Sequence, residues 1–257
     1  MPFALITGAS KGIGKAIAET LARLGYDLLL VARSADLLEK VSAEIHASTQ
    51  RDCKWLAMDL AGPESAEEVY AWCNTHRFDV TILVNNAGYG LSGPFEKYTS
   101  LDHAEMLQVN IITLTKLTRL FLPDLLKKQS AYILNIGSSA AYQAVPFLTA
   151  YAASKAYVLS FSRGLYQELK KTSVSVTCIC PGPTDTHFVE RANLGGKALK
   201  TAERFNMTPE AVADIAIHSL FRKRPEVITG ASNKAGAFFS WLLPKNLVET
   251  VTKKLYE

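Results

Sequence analysis

The stretch Thr7-Gly8-Ala9-Ser10-Lys11-Gly12-Ile13-Gly14 decides the fold, because it joins a short apolar run to an amphipathic segment. The apolar run covers residues 3–7 and is typical of a buried strand. After the glycines, apolar side chains recur at helical spacing until Gly25, which suits a helix end. The order of strand, glycine turn and helix predicts the first βα unit of a nucleotide-binding fold.

The three glycines suit a turn that binds phosphate. Glycine has no Cβ, so the backbone can turn sharply and approach a pyrophosphate closely. The helix that follows offers free N–H groups and the positive end of its dipole. The spacing G-x-x-x-G-x-G differs from G-x-G-x-x-G and from a P-loop, and a turn without a ligand is the alternative. The predicted cofactor contacts here are Gly8, Ser10, Lys11, Gly12, Ile13 and Gly14.

The end of the second predicted strand, 27–31, indicates which cofactor binds. NAD-binding units usually place a carboxylate there to hold the ribose 2′-hydroxyl. This chain has Ala32-Arg33-Ser34 instead. The Arg33 guanidinium can bind a 2′-phosphate bidentately, and Lys11 can reach the same group. We therefore expect NADP(H), with two ordinary surface cations as the alternative.

A second motif, Tyr151-Ala152-Ala153-Ser154-Lys155, supplies acid–base chemistry. Residues i and i+4 share a helix face, so Lys155 can reach the Tyr151 ring. A cation ~4 Å from a phenolate contributes ~4 kcal/mol at an effective dielectric of ~20. That lowers a tyrosine pKa by ~3 units, into the working range of a general acid. The spacing also occurs by chance, and the alternative is a helical tyrosine beside a solvated lysine.

The ordered set of motifs resembles the short-chain dehydrogenase/reductase family in its single-domain, NADP-preferring form. The resemblance covers residues 3–230 and implies a hydride transfer between a nicotinamide and a carbonyl or alcohol. It rests on Thr7-Gly8-x-x-x-Gly12-x-Gly14, Asn85-Asn86-Ala87-Gly88, Asn110, Ser138, Tyr151-x-x-x-Lys155 and Pro181-Gly182.

The resemblance also implies a role for each matching residue. Asn110 helps to position a water beside the lysine, Ser138 binds the substrate carbonyl, and Tyr151 is the acid/base. Lys155 binds the nicotinamide ribose and lowers the tyrosine pKa. Further expected cofactor contacts are Asp59 and Leu60 near the adenine, Asn86, Ala87 and Gly88 beside its ribose, and Pro181, Gly182, Thr184 and Thr186 over the nicotinamide.

The whole chain, 1–257, is predicted to be one α/β domain: a Rossmann-like, doubly wound, seven-stranded parallel sheet with helices on both faces. A substrate lid is expected at about 186–206. Predicted strands cover 3–7, 27–31, 54–58, 80–84, 131–136, 174–180 and 226–229. Predicted helices cover 36–48, 64–76, 100–128, 150–171 and 209–223.

Composition limits the other possibilities. Apolar residues make up 48% of the chain, and the net charge of +4 comes from scattered cations, so a nucleic-acid partner is not expected. Four cysteines without further ligand spacing predict buried thiols and no metal site. We expect a cytoplasmic protein without a signal peptide or membrane-spanning helix. The family resemblance implies a homodimer or homotetramer.

The segments around the motifs suggest an apolar substrate site. The candidates for this site are Ser138, Tyr142, Gln143, Phe147 and Phe188. A lipophilic small-molecule carbonyl or alcohol is therefore the expected substrate. Two alternatives remain: a 3-oxoacyl-thioester reductase acting on acyl carrier protein or coenzyme A esters, and an NADP(H)-binding sensor or scaffold without turnover.

The tail, 237–257, combines an apolar run rich in aromatic residues with an amphipathic segment after Pro244. Three interpretations compete. The tail packs on its own domain or a sister subunit, covers a lipophilic pocket, or attaches to a membrane surface. The first is the expectation.

Overall fold

Seven parallel strands form one sheet in the order β3-β2-β1-β4-β5-β6-β7. The computed structural model describes residues 2–184 and 206–256. The order reverses between β1 and β4, which creates the crevice where such sheets bind ligands. The predicted fold is confirmed, with strand bounds of β1 Phe3–Thr7, β2 Asp27–Ala32, β3 Cys53–Ala57, β4 Val80–Asn85, β5 Ala131–Ile136, β6 Val174–Cys180 and β7 Glu226–Ile228.

Helices cover both faces of the sheet. On one face α1 (Gly12–Arg23), α2 (Ala35–Thr49) and α7 (Pro209–Phe221) pack in one apolar cluster with β1 and β2. On the other face lie α3 (Ser65–Thr75), α4 (Ser100–Leu107), α5 (Leu114–Leu125) and α6 (Thr149–Leu169). The strands β1, β2 and β4 are almost entirely buried, which explains their continuous apolar sequences.

The helix predicted over 100–128 forms from Ser100 to Leu125, but it is not a regular α-helix throughout. A π-helical turn, Gln108–Thr113, separates α4 from α5. Within this turn the Asn110 side chain bonds both the N–H and the C=O of Tyr89, at 3.0 and 2.9 Å. A π turn inserts an extra residue into a helix and often lies at a functional site. Helical periodicity alone does not reveal such a turn.

The C-terminal segment folds as two helices, α8 (Ala231–Leu242) and α9 (Lys245–Tyr256). We expected this segment to pack on its own domain or on a sister subunit, but its large apolar side chains are exposed in the single chain, so they do not pack on their own domain. Among the residues described, no helix is long and apolar enough to span a bilayer. The predicted lid lies mainly outside the described residues, as do Thr186 and Phe188.

Candidate active site

The glycine turn packs tightly against the end of β4. Gly8 and Gly12 have positive φ angles of 66° and 57°, which favour glycine. A Cβ on Gly14 would lie 2.3 Å from the Gly8 carbonyl oxygen and 2.4 Å from the Asn86 amide nitrogen. That amide donates to the carbonyl oxygens of Thr7 and Gly8, at 2.9 and 3.1 Å. The turn therefore has one compact conformation that a larger residue would disrupt.

The Thr7 hydroxyl completes this junction. It donates to the Val84 carbonyl at 3.2 Å and accepts from the N–H groups of Asn86 and Ala87, both at 3.0 Å. The N-terminus of α1 has no side-chain cap bond among the described residues. Its free N–H groups and the adjoining glycines fit a pyrophosphate.

The two cations predicted to select the cofactor lie at this edge of the sheet. Lys11 belongs to the glycine turn, and Arg33 directly follows β2. Both are exposed, and neither forms an ion pair with a carboxylate in the described part of the chain. The Lys11 ammonium and the Arg33 guanidinium are therefore exposed at the edge where a 2′-phosphate is expected.

Asp59 and Leu60 follow β3 at the same edge. The Asp59 carboxylate accepts from the Ala61 N–H at 3.0 Å, which forms a tight turn. Leu60 is buried, and its carbonyl oxygen accepts from the Thr113 hydroxyl at 2.8 Å. This bond connects the predicted adenine side of the site to the π turn.

Lys155 is a buried cation next to the tyrosine. It is 5% exposed, and its Nζ donates to the Ile136 carbonyl at 2.9 Å and lies 5.8 Å from the Tyr151 ring centre. Burial lowers the pKa of Lys155 to about 8, against the opposing effect of the neighbouring Cys178 and Cys180. The ammonium is therefore held where it can act on the tyrosine.

Gly88 leaves the space that this lysine needs. A Cβ on Gly88 would lie 2.9 Å from the Asn110 Oδ1 and 3.4 Å from the Lys155 Nζ. The three residues come from the loop after β4, the π turn and α6, and they meet at one point. The predicted roles of Asn110 and Lys155 both require this proximity.

Ser154 links the π turn to the helix of the tyrosine, and sequence reasoning missed it. Its hydroxyl accepts from the Asn110 Nδ2 at 3.0 Å and donates to the Tyr151 carbonyl at 2.7 Å. It is completely buried. The sequence offered one signal for Ser154, namely its position between Tyr151 and Lys155. A serine buried there needs a hydrogen-bond partner.

Ser138 follows β5 and is 8% exposed. Its Oγ accepts from the Ala140 N–H at 3.1 Å and so caps a short 3₁₀ turn, Ser139–Tyr142. The hydroxyl proton is left to donate to a ligand. Ser138 and Tyr151 lie on segments that leave the same edge of the sheet.

Other predicted substrate residues make contacts within the protein. The Tyr142 hydroxyl donates to Glu226 Oε1 at 2.5 Å, and burial is the main cause of its raised pKa. The Gln143 amide donates to the Thr252 hydroxyl of α9 at 2.9 Å. Phe147 has a positive φ of 64°, and its carbonyl accepts from the Gly93 N–H at 2.8 Å.

The segment after β6 closes this edge of the sheet. The Pro181 carbonyl accepts from the Ser139 N–H at 2.8 Å, which ties it to the Ser138 turn. A Cβ on Gly182 would lie 2.1 Å from the Asn233 amide, so Asn233 of α8 packs directly on it. Thr184 forms an isolated bridge with Met207. Sequence reasoning missed Asn233, because α8 lay outside the motifs.

The four cysteines are all free and buried. Within the described ranges, no group of three or more potential metal ligands occurs. Cys178 and Cys180 share a face of β6, with their sulfur atoms 3.8 Å apart. Burial raises the pKa of the Cys53 thiol to about 11 and that of the Cys73 thiol to about 12. Cys53 and Cys73 are therefore protonated near neutral pH.

Comparisons with known proteins agree with this geometry. A family model described as short chain dehydrogenase matches residues 2–195. The chain is 37% identical over 185 residues to a very-long-chain 3-oxoacyl-CoA reductase of Anas platyrhynchos, covering 70% of this chain but only 58% of the relative. It is 34% identical over 217 residues to an uncharacterized oxidoreductase of Staphylococcus saprophyticus, covering 84% and 90% of the two chains.

Among solved structures, a short-chain dehydrogenase from Sphingobium yanoikuyae in complex with NADPH superposes with a TM-score of 0.83. The identity is 29%, and the match covers 94% of each chain. The glycine turn and the buried lysine beside the tyrosine both lie within the residues that the family model matches. The chain belongs to the short-chain dehydrogenase family of oxidoreductases.

Proposed function

We propose that this protein is an NADP(H)-dependent oxidoreductase that interconverts a carbonyl and an alcohol of a lipophilic small molecule. The observation that carries the proposal is the buried Lys155, held 5.8 Å from the Tyr151 ring and linked through Ile136 to the end of β5. Burying an ammonium is costly, so a chain retains one where its charge is used.

The cofactor would bind along the carboxyl edge of β1, β2 and β4. The glycine turn and the N-terminus of α1 would hold the pyrophosphate, and Arg33 and Lys11 would hold the 2′-phosphate. Lys155 would bind the nicotinamide ribose. The nicotinamide supplies the hydride, which no side chain can provide.

The side chains then stabilise the developing charge and supply the proton. In the reductive direction, the Ser138 and Tyr151 hydroxyls donate hydrogen bonds to the carbonyl oxygen, where negative charge develops. The proton of the Tyr151 hydroxyl passes to that oxygen, leaving a phenolate. The Lys155 ammonium stabilises this phenolate, and the reverse reaction uses the phenolate as base. The Asn110–Ser154 pair fixes the helix that carries both groups.

The test is a nicotinamide absorbance assay over a panel of aliphatic, cyclic and aromatic ketones, with NADPH and NADH. We expect turnover with NADPH and lipophilic ketones, and none in the Tyr151→Phe variant. Tight NADPH binding without turnover on any carbonyl would instead support a sensor or scaffold.

A second candidate is 3-oxoacyl-thioester reduction, and one observation favours it. Several curated relatives at 34–37% identity are very-long-chain 3-oxoacyl-CoA reductases. The chain spans 58% of their length, so their activity is a proposal for this protein. A series of 3-oxoacyl-CoA esters of increasing acyl length, compared with simple ketones, separates the two. Catalytic efficiency that rises with acyl length would favour the thioester substrate.

A further inference from the structure

The two consecutive C-terminal helices, α8 and α9, here called the helix pair, attach to the body through small and polar side chains. On α8, Asn233, Ala237 and Ser240 lie on one face, and they are its least exposed residues. Ser240 Oγ donates to the carbonyls of Ala237 and Tyr142, at 2.8 and 3.4 Å. On α9, Thr252 is buried and accepts from the Gln143 amide.

The apolar side of the pair faces away from the body. Phe238 and Ser240 are two residues apart, which at ~100° per residue puts them on opposite sides of the helix. The Phe238 ring lies 5.7 Å from that of Phe239 and 6.1 Å from that of Trp241. Trp241 is 73% exposed, more than any other large apolar side chain described. The outward side of α8 carries Phe238, Phe239, Trp241 and Leu242, and α9 exposes Leu247 and Val251; all six are more than half exposed.

This arrangement reverses the usual amphipathic helix, which buries its apolar side in the protein. An exposed patch of large apolar residues marks a surface that binds another molecule or another part of the protein. The patch does not cover the substrate pocket, because it points away from the turn that carries Ser138.

The net charge of the two helices distinguishes between the remaining candidates for the molecule that covers the patch. Residues 231–257 contain four lysines and two glutamates, a net charge of 4 − 2 = +2. The lysines, Lys234, Lys245, Lys253 and Lys254, are all exposed. In a two-fold interface the same patch meets itself, so a second copy would bring +2 against +2. An anionic surface complements this charge.

Aromatic residues beside lysines are also the composition that anchors helices at a lipid–water interface. Each helix has 12 residues, far fewer than the ~20 that span a bilayer.

We propose that the outward face of α8 and α9 docks on the surface of an anionic phospholipid bilayer, without crossing it. Phe238, Phe239 and Trp241 enter the interface, while Lys234 and Lys254 contact the lipid phosphates. The helix pair is bonded to Tyr142 and Gln143, so docking brings the Ser138 turn close to the lipid surface. The proposal concerns binding and does not depend on the proposed reaction.

The experiment is flotation of the full chain with vesicles of phosphatidylcholine containing about a third phosphatidylglycerol, and with phosphatidylcholine alone. We expect flotation with the anionic vesicles, weakened by high salt. The double variant Phe238→Ser/Trp241→Ser should reduce the partition coefficient at least about tenfold. Lys234→Gln should reduce it about fivefold, the share of one cation near an anionic surface.

The matched control is Leu24→Ser, an exposed apolar residue just after α1 that is 56% exposed, much like Phe238 at 54%. It should leave flotation unchanged. Melting temperature and sedimentation velocity without lipid are measured for each variant. Wild-type chain that does not float, or a double variant that floats equally well, overturns the proposal. Loss of an oligomer in the double variant, with no wild-type flotation, would assign the patch to a second copy.

Discussion

The Asn110 amide and the Ser154 hydroxyl form a buried hydrogen bond of 3.0 Å that connects the π turn to α6. The same hydroxyl donates to the Tyr151 carbonyl, so one serine joins the π turn to the helix that carries the tyrosine and the lysine. Asn110 in turn holds the Tyr89 backbone. One short chain of hydrogen bonds thus joins three segments of the site.

Ser154→Ala should therefore lower activity without removing the acid. One Asn110 N–H loses its partner, which costs about 1–3 kcal/mol. We expect kcat to fall about tenfold and the melting temperature to drop, with Tyr151 still in place. Ser160→Ala is the matched control, because Ser160 is exposed on the same helix. Equal kcat values in the two variants would contradict a positioning role for Ser154.

Tyr151→Phe should abolish turnover while sparing the cofactor. The ring remains and the transferable proton is lost, so kcat should fall at least about a hundredfold. NADPH affinity, measured by fluorescence titration, should change little. Near-native turnover on a good substrate would show that Tyr151 is not the acid.

Arg33→Ala should reduce the preference for NADPH. A charge-assisted hydrogen bond to phosphate contributes about 1.5–3 kcal/mol, so kcat/KM with NADPH should fall at least tenfold. The value with NADH should change little, because NADH lacks the 2′-phosphate. Arg51→Ala is a control of equal charge change, since Arg51 lies after α2 and near Asp27. Equal efficiency of the wild type with both cofactors would contradict the proposed selection.

Lys155→Met should change the pH dependence of stability. Burial lowers the pKa of Lys155 from 10.5 to about 8, which corresponds to roughly 3 kcal/mol against the charged form. Between these two values the unfolded chain binds more protons than the folded chain, so the lysine's contribution to stability rises with pH. Below pH 8 the lysine is protonated in both states, and the full cost of burying its charge is present.

The measurement is the free energy of unfolding of ligand-free wild type and Lys155→Met, by urea denaturation at about pH 7.5 and about pH 9.5. The difference, wild type minus variant, should increase with pH. Cysteine ionisation in the unfolded chain affects both proteins alike and cancels. A difference that stays constant would mean that the Lys155 pKa is not lowered in the folded protein.

Local patterns in the sequence determined the sheet and the identity of the main motifs. Strand and helix periodicity depends on neighbours a few residues apart, so the seven strands were predictable to within a residue or two. The glycine turn was predictable for the same reason, because its φ angles are a local property. The order of the motifs along the chain identified the family.

Only the tertiary structure decided the features that depend on distant contacts. The π turn at Asn110 forms where its amide meets the Tyr89 backbone, 21 residues away. Lys155 is buried because α6 packs on β5 and β6, and the partner of Ser154 comes from a different helical segment. The tail has an amphipathic pattern that predicts helices, but the pattern does not say which side faces the protein. Ser240 bonds to Tyr142, and Thr252 bonds to Gln143. These bonds hold the small polar side of the two helices against the protein, so the aromatic side is left exposed.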